Sequence, residues 1–468
     1  MRQRILLAPV LLAFALAAGK GVAAPASEAQ AGVIVTAAHV LTLDPDAPYF
    51  ERGAVVVEGD SIVAVGPARD VRARYRGLKV YDAGRAVVMP GFVNTHCHLP
   101  MIMMRGVADD LELMEWLTTC IFPLEAKMVN ARFCYDASLV ACAELIRRGF
   151  TSVVDMYYFE DDIARAVKEA GMRGWLGETV IDFPAPDFKT PAESLAATDT
   201  WIRKWASDPL VKIIPAPHSC YTVSPDNLRL AKALADRHGT LMTFHLSESE
   251  KEVADVREQY GRSPVEHAAA LGLLDRNVLA AHCVVLSPED LELMRSGGVA
   301  VAHNPDSNLK LASGLAPVVK LLGLGIRVGL ATDGPASNNR LDPFHAMDLA
   351  AKMQKVLEKS AAVMKAAEVV RMATLGGAEA VGAADAIGSL APGKKADLIA
   401  VDLDYVNYGP VYDLYSHLVY AAHGEMVKSS MVNGRWLMLD RKLMTLDEHR
   451  LRDLVSRYAR EVRSVVGP

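Results

Sequence analysis

Between about residues 90 and 380 the chain repeats one unit: a short apolar run that ends in polar or charged residues, then a stretch with helical periodicity. The runs are Gly91 to Thr95, Thr151 to Asp155, Met172 to Leu176, Val211 to Pro217, Thr240 to Phe244, Val278 to Ala281, Gly298 to Ala302 and Ile326 to Thr332. Helical periodicity is clearest in Ala137 to Arg148, Asp161 to Ala170, Asn227 to His238 and Pro288 to Ser296. Eight such βα units predict a distorted TIM-type (β/α)8 barrel. A doubly wound open sheet, the alternative, usually has fewer strands and needs a phosphate-binding glycine loop, for which no motif stands out. A chain of 468 residues is long enough for three average domains, or for one such barrel with additions.

The additions are β-rich. Gly32 to Thr36, Val40 to Leu43 and Gly53 to Val65 alternate like short strands, with a turn at Gly59-Asp60. The texture returns at Asp397 to Val401 and at Val427 to Leu437, where Asn433-Gly434 is a hairpin signal. Residues 27–89 and 381–445 are therefore expected to form one small β-sandwich domain, built from both ends around a barrel at 90–380. Residues 446–468 read as a terminal amphipathic helix. At the N-terminus Arg2 and Arg4 precede an apolar run from Ile5 to Ala18, and Ala24-Pro25-Ala26 offers a small-x-small cleavage site. That is the layout of a signal peptide over residues 1–26, too short for a comfortable span, so the expectation is an exported, periplasmic protein that leaves the membrane on cleavage. The 50 basic and 56 acidic side chains nearly balance, which gives no electrostatic footprint for nucleic acid. The expected partner is a small molecule, with homo-oligomer formation left open. The cysteines Cys97, Cys120, Cys134, Cys142, Cys220 and Cys283 form no CxxC pair and read as small buried residues.

Chemistry collects at the run ends. The first ends in His96 and His98, the fourth at His218, the fifth at His245, the sixth at His282, the seventh at His303 and the eighth at Asp333. A TIM barrel brings these ends to one face. His96 and His98, two apart on a strand, share a side. With His245 and Asp333 they make a nitrogen and oxygen donor set suited to one divalent ion, zinc first, with iron or manganese as alternatives. No lysine ends the fourth run, and Lys212 lies near its start, which argues against a two-metal site. His303 reads as a hydrogen-bonded structural residue. Glu248, three residues past His245, reads either as a proton carrier or as a solvated charge beside Glu250, Lys251 and Glu252.

Pro90 to Met101, Glu115-Trp116-Leu117, Phe122 to Glu125, His218-Ser219, His245 to Glu248, Ala281-His282-Cys283, His303 to Lys310 and Thr332 to Asn339 together resemble the amidohydrolase superfamily. Within it they are most similar to the methylthioadenosine/S-adenosylhomocysteine deaminases and their chlorohydrolase relatives. The resemblance implies that His96, His98, His245 and Asp333 bind the metal, that Asp333 also takes a proton from water, and that His282 contacts the activated water or the developing oxyanion. It implies that Glu248 shuttles a proton to the ring nitrogen. Glu125 would hold ribose hydroxyls, Trp116 would pack on the substrate, and His218 and Ser337 would line the pocket. The implied activity is hydrolytic deamination of an aminated heterocycle, an adenine nucleoside first. Another heterocycle or amide, such as an s-triazine or pterin, is the alternative. The chain departs from the branch at Glu178, which stands where a basic residue for a substrate carboxylate is expected, and no arginine follows before Arg203. Adenosine or 5′-methylthioadenosine is accordingly expected to be a better substrate than S-adenosylhomocysteine.

Overall fold

The structure is a computed structural model and describes residues 32–466. The expected signal segment and its expected cleavage site lie outside the described residues. Each of the eight runs is a strand: Phe92–Cys97, Phe150–Tyr157, Arg173–Val180, Val211–Pro217, Met242–Leu246, Val278–His282, Ala300–His303 and Val328–Leu330. Local chemistry sets the helices between them. Asn130 accepts the backbone N–H groups of Arg132 and Phe133 to open the helix Ala131–Arg148, and Gly149, at φ 93°, closes it in the left-handed conformation. Thr190, Ser263 and Ser287 open three others as capping boxes, each with an acidic residue three positions on.

The first four strands pair in parallel in chain order, and so do the last four. Two seams join the halves. Between strands four and five, the His245 N–H donates to the His218 carbonyl at 3.0 Å. Between strands eight and one, the Asp333 N–H donates to the His96 carbonyl at 3.0 Å and the Thr95 hydroxyl to the Leu330 carbonyl at 3.0 Å. The result is a distorted (β/α)8 barrel. Phe92, with the edges of Phe150 and Phe344 at centroid distances of 6.1 and 5.3 Å, packs by the N-terminal ends of strands one and two. Such edge-to-face pairs contribute about 0.5–1.5 kcal/mol each beyond their burial.

The two ends of the chain build one nine-stranded sheet rather than two separately bonded layers. Strand Ala86–Pro90 sits inside it, antiparallel to Leu398–Asp402 from the far end of the sequence. Its alternation divides the cores: Val87 and Met89 join the barrel core, while Ala86 and Val88 join Val35, Val55 and Leu398. The two short strands expected at residues 32–43 are a single strand, Val33–Leu41, because its partner Tyr49–Glu58 pairs along its full length. The Asn433-Gly434 turn has positive φ at both residues, as a two-residue hairpin requires. The terminal helix Glu448–Val466 buries Leu451, Leu454, Tyr458 and Val462 as one stripe, and the Tyr458 hydroxyl reaches Asp136 at 3.1 Å. All six cysteines are unpaired; five are buried, but Cys120, on the π-helical turn Trp116–Ile121, is only half-buried.

Candidate active site

The C-terminal strand ends gather His96, His98, His245, His282 and Asp333. The ring centroids of His96 lie 4.8 Å from His98 and 4.9 Å from His245, and the His98 Nε2 is 3.2 Å from an Asp333 carboxylate oxygen. One nitrogen of most rings is already committed. His98 Nδ1 faces the Met156 carbonyl at 2.5 Å and His245 Nδ1 faces the His218 carbonyl at 2.8 Å. Each of these carbonyls can only accept, so each Nδ1 carries a proton, and in the neutral ring Nε2 is the nitrogen left to bind a metal. Gly334 N–H and the Ser337 hydroxyl reach the two oxygens of Asp333 at 2.7 and 3.0 Å. His282 and Asp333 both hold left-handed backbone, at φ 72° and 62°, a strain that tends to collect at functional sites.

The arrangement fits a divalent ion. Both ring nitrogens of His96 are buried and without a hydrogen-bond partner, and a coordinated cation removes that cost at one of them. Burial lowers His96 to about 4, so the ring is neutral and one nitrogen keeps a free lone pair. Burial also opposes charging His98, yet the Asp333 carboxylate and the Met156 carbonyl raise it to about 9; a cation is favoured between them. Candidate ligand atoms of His96, His98 and His245, and of His96, His282 and Asp333, lie within 4.8 Å of one another.

His98, His245, His282 and Asp333 open into a cavity that Trp116, Glu125, His218, Glu248 and Ser337 also line. Glu248 is not the solvated charge its sequence neighbours suggested. It is buried, 3.8 Å from His282 Nε2, and burial raises its carboxyl above the ordinary range. The cause is Glu252, itself buried, whose two oxygens accept the N–H groups of Ser247 and Glu248 at 3.0 and 2.6 Å and turn the segment inward. His282 is oriented by Asn308, whose side-chain oxygen lies 2.8 Å from Nδ1. His303 is buried away from the cavity lining, and contrary to expectation neither of its ring nitrogens has a hydrogen-bond partner.

The third strand corrects the reading of Glu178. Side chains alternate along a strand, so Thr179 lines the cavity while Glu178 is buried off it, accepting the Glu160 N–H at 3.1 Å. Tyr157, Tyr158 and Tyr221 line the cavity and carried no sequence signal. The first two lie just past Asp155, where the apolar run of the second strand ends; the strand itself continues to Tyr157.

A barrel whose strand ends hold a histidine and aspartate cluster at one cavity is the frame of a metal-dependent hydrolase. The chain belongs to the amidohydrolase family, whose model matches residues 87–437. A bacterial imidazolonepropionase-like composite domain also matches residues 53–77. The chain is 45% identical over 434 residues to a 5-methylthioadenosine/S-adenosylhomocysteine deaminase of Syntrophobacter fumaroxidans, spanning 93% of this chain and 99% of that protein. It is 42% identical to a 5'-deoxyadenosine deaminase of Methanosarcina barkeri, over 92% of this chain and 99% of that one. Among solved structures, an adenosine deaminase from Xanthomonas campestris with bound zinc superposes with a TM-score of 0.90 at 37% identity, over 92% of this chain and 98% of that one. The zinc complex of an atrazine chlorohydrolase from Arthrobacter aurescens gives 0.85 at 23% identity, over 91% and 100%, a likeness of fold alone.

Proposed function

We propose that the protein hydrolytically deaminates an adenine nucleoside, releasing ammonia. The observation that carries this reading is one cavity that joins the histidine and aspartate cluster to a second, separately held carboxylate, Glu125. His96, His98, His245 and Asp333 would hold one divalent ion, zinc first. Bound there, such an ion lowers the pKa of a water from about 15.7 to near 7.

The chain's own groups do the rest. Asp333, with both oxygens held by Gly334 and Ser337, accepts the proton of the attacking water. Glu248, whose raised pKa suits a proton donor, delivers a proton to the ring nitrogen so that negative charge need not build there. His282, fixed by Asn308, faces the developing oxyanion. Collapse of the tetrahedral carbon then forms the C=O bond and breaks the C–N bond, and the proton held by Asp333 passes to the leaving amino group, which departs as ammonia. Glu125 accepts hydrogen bonds from the ribose hydroxyls, and Trp116 and His218 complete the walls.

The deaminases above are named for nucleosides with different 5′ groups. Among the described residues no lysine or arginine lines this cavity, which supports a neutral 5′ group over a carboxylate-bearing tail. An ammonia-release assay of the zinc-loaded protein on adenosine, 5′-methylthioadenosine and S-adenosylhomocysteine tests both points. Turnover of the first two ahead of the third is expected. S-adenosylhomocysteine as the best substrate overturns the tail argument, and turnover of a pterin, free base or triazine with none of the three overturns the nucleoside assignment. We also propose export, on Arg2, Arg4 and the apolar run from Ile5 to Ala18. N-terminal sequencing from fractionated native cells should find a mature start near Ser27 in the periplasm; an intact Met1 in the cytosol overturns it.

A further inference from the structure

Glu125 does not stand on a barrel strand. It lies on the short helix Phe122–Met128, and three rotatable bonds separate its carboxylate from the backbone. What fixes it is Tyr157, the last residue of the second strand, whose hydroxyl donates to Glu125 Oε1 at 2.7 Å. Both side chains are buried. Tyr157 is itself held: its N–H donates to Glu160 at 3.0 Å, and its ring packs 5.1 Å from that of Tyr158. Oε1 is thereby occupied, and among the described residues no group donates to Oε2, while Glu125 lines the cavity. A carboxylate that is satisfied on one oxygen and fixed in direction presents the other to a ligand hydroxyl without further loss of side-chain freedom.

We infer that Tyr157 is a positioning residue for sugar recognition, holding Glu125 so that the site selects nucleosides with an intact ribose diol over deoxyribose analogues. The inference rests on the proposed nucleoside reading. The electrostatics agree with it. Burial raises the Glu125 carboxyl to about 7, and the Tyr157 hydroxyl opposes that rise, favouring the ionised form that can only accept.

The test is steady-state kinetics of the zinc-loaded enzyme and of Tyr157→Phe, Glu125→Gln and the double variant, on adenosine and on 2′-deoxyadenosine. Tyr157→Phe should raise KM for adenosine on the order of tenfold, with kcat within about twofold and the deoxy substrate little changed. The double variant should be no worse than Glu125→Gln alone, since the two residues act as one unit. If Glu125→Gln erases the preference for adenosine but Tyr157→Phe keeps it, the inference falls and the ribose reading stands. If Glu125→Gln leaves the preference intact, the ribose reading itself falls. A kcat loss shared equally by both substrates marks a merely structural tyrosine and also overturns the inference. Should Tyr157→Phe fail to fold, Tyr157→Met provides the same readout, because it also removes the hydroxyl that holds Glu125 and its flexible side chain can fill the space. It should show the same selective rise in KM, and an unchanged KM ratio overturns the inference.

Discussion

Two carboxylic acids, Glu248 and Glu125, share the cavity, and their neighbours give them different work. Glu248 faces His282 and has its backbone turned inward by Glu252. Glu248→Gln should keep fold and metal content but lose the rate by at least about a hundredfold, because an amide of the same shape cannot exchange the proton. Metal analysis beside kcat checks this, and near-normal turnover would remove Glu248 from the mechanism. Glu125 predicts a pH dependence. Its carboxyl is raised by burial to about 7, with Tyr157 and the charge on His98 opposing. Above that value it is a pure acceptor for the diol, and below it one acceptor is lost to a proton. The KM advantage of adenosine over 2′-deoxyadenosine should therefore shrink as pH falls through about 7, and stay flat in Glu125→Gln. The sign for stability is the reverse. A raised folded-state pKa contributes stability that is full below the ordinary value of 4.5 and is lost as pH rises through about 7. Thermal unfolding should show Glu125→Gln gaining on the parent across that window.

Elements place these residues, and the first and eighth strands approach each other closely where they meet. A side-chain carbon on Gly329 would sit 2.3 Å from the Thr95 methyl and 3.1 Å from the Gly377 Cα. Those strands lead to His96 and His98 on one side and to Asp333 on the other. Gly329→Ala should cost about 1–3 kcal/mol of stability through overpacking. It should also weaken metal binding by shifting the two strands apart. A zinc titration and a melting curve measure both, and adding Thr95→Ser, which removes the offending methyl but keeps the hydroxyl, should recover part of each loss. A fully stable Gly329→Ala protein with unchanged affinity would mean that this seam does not set the site geometry. The run ends were legible at this scale because a period of two puts His96 and His98 on one side of a strand. Thr179 was missed for the same reason that Glu178 was misplaced: the alternation is visible in sequence, but which of two neighbours faces inward depends on the register of the adjoining strands.

For the whole molecule, the proposed ligands come from both halves of the barrel: His96 and His98 from the first four strands, His245 and Asp333 from the last four. An ion bound there bridges the halves and stabilises the folded chain by mass action, about 4 kcal/mol at a free concentration a thousandfold above Kd. Chelation should abolish turnover and lower the melting temperature, and zinc should restore both. His96→Ala should melt at the chelated temperature and gain nothing from zinc. A variant that keeps metal and rate would overturn the ligand assignment.

The sequence alone determined the eight βα units, the joining of both ends into one small β domain, and the histidines and aspartate that meet in the cup. Each follows from a local rule: a period of two or of 3.6, a turn pair, a polar residue at a strand end. Tertiary structure alone decided which members of the acidic run at Glu248 to Glu252 are buried, that Glu125 finds Tyr157 across 32 positions of chain, and that Asn308 holds His282. These contacts join residues from separate elements, and their chemistry comes from desolvation. A carboxylate written beside a lysine reads as a surface charge until packing removes the water, and only the folded barrel does that.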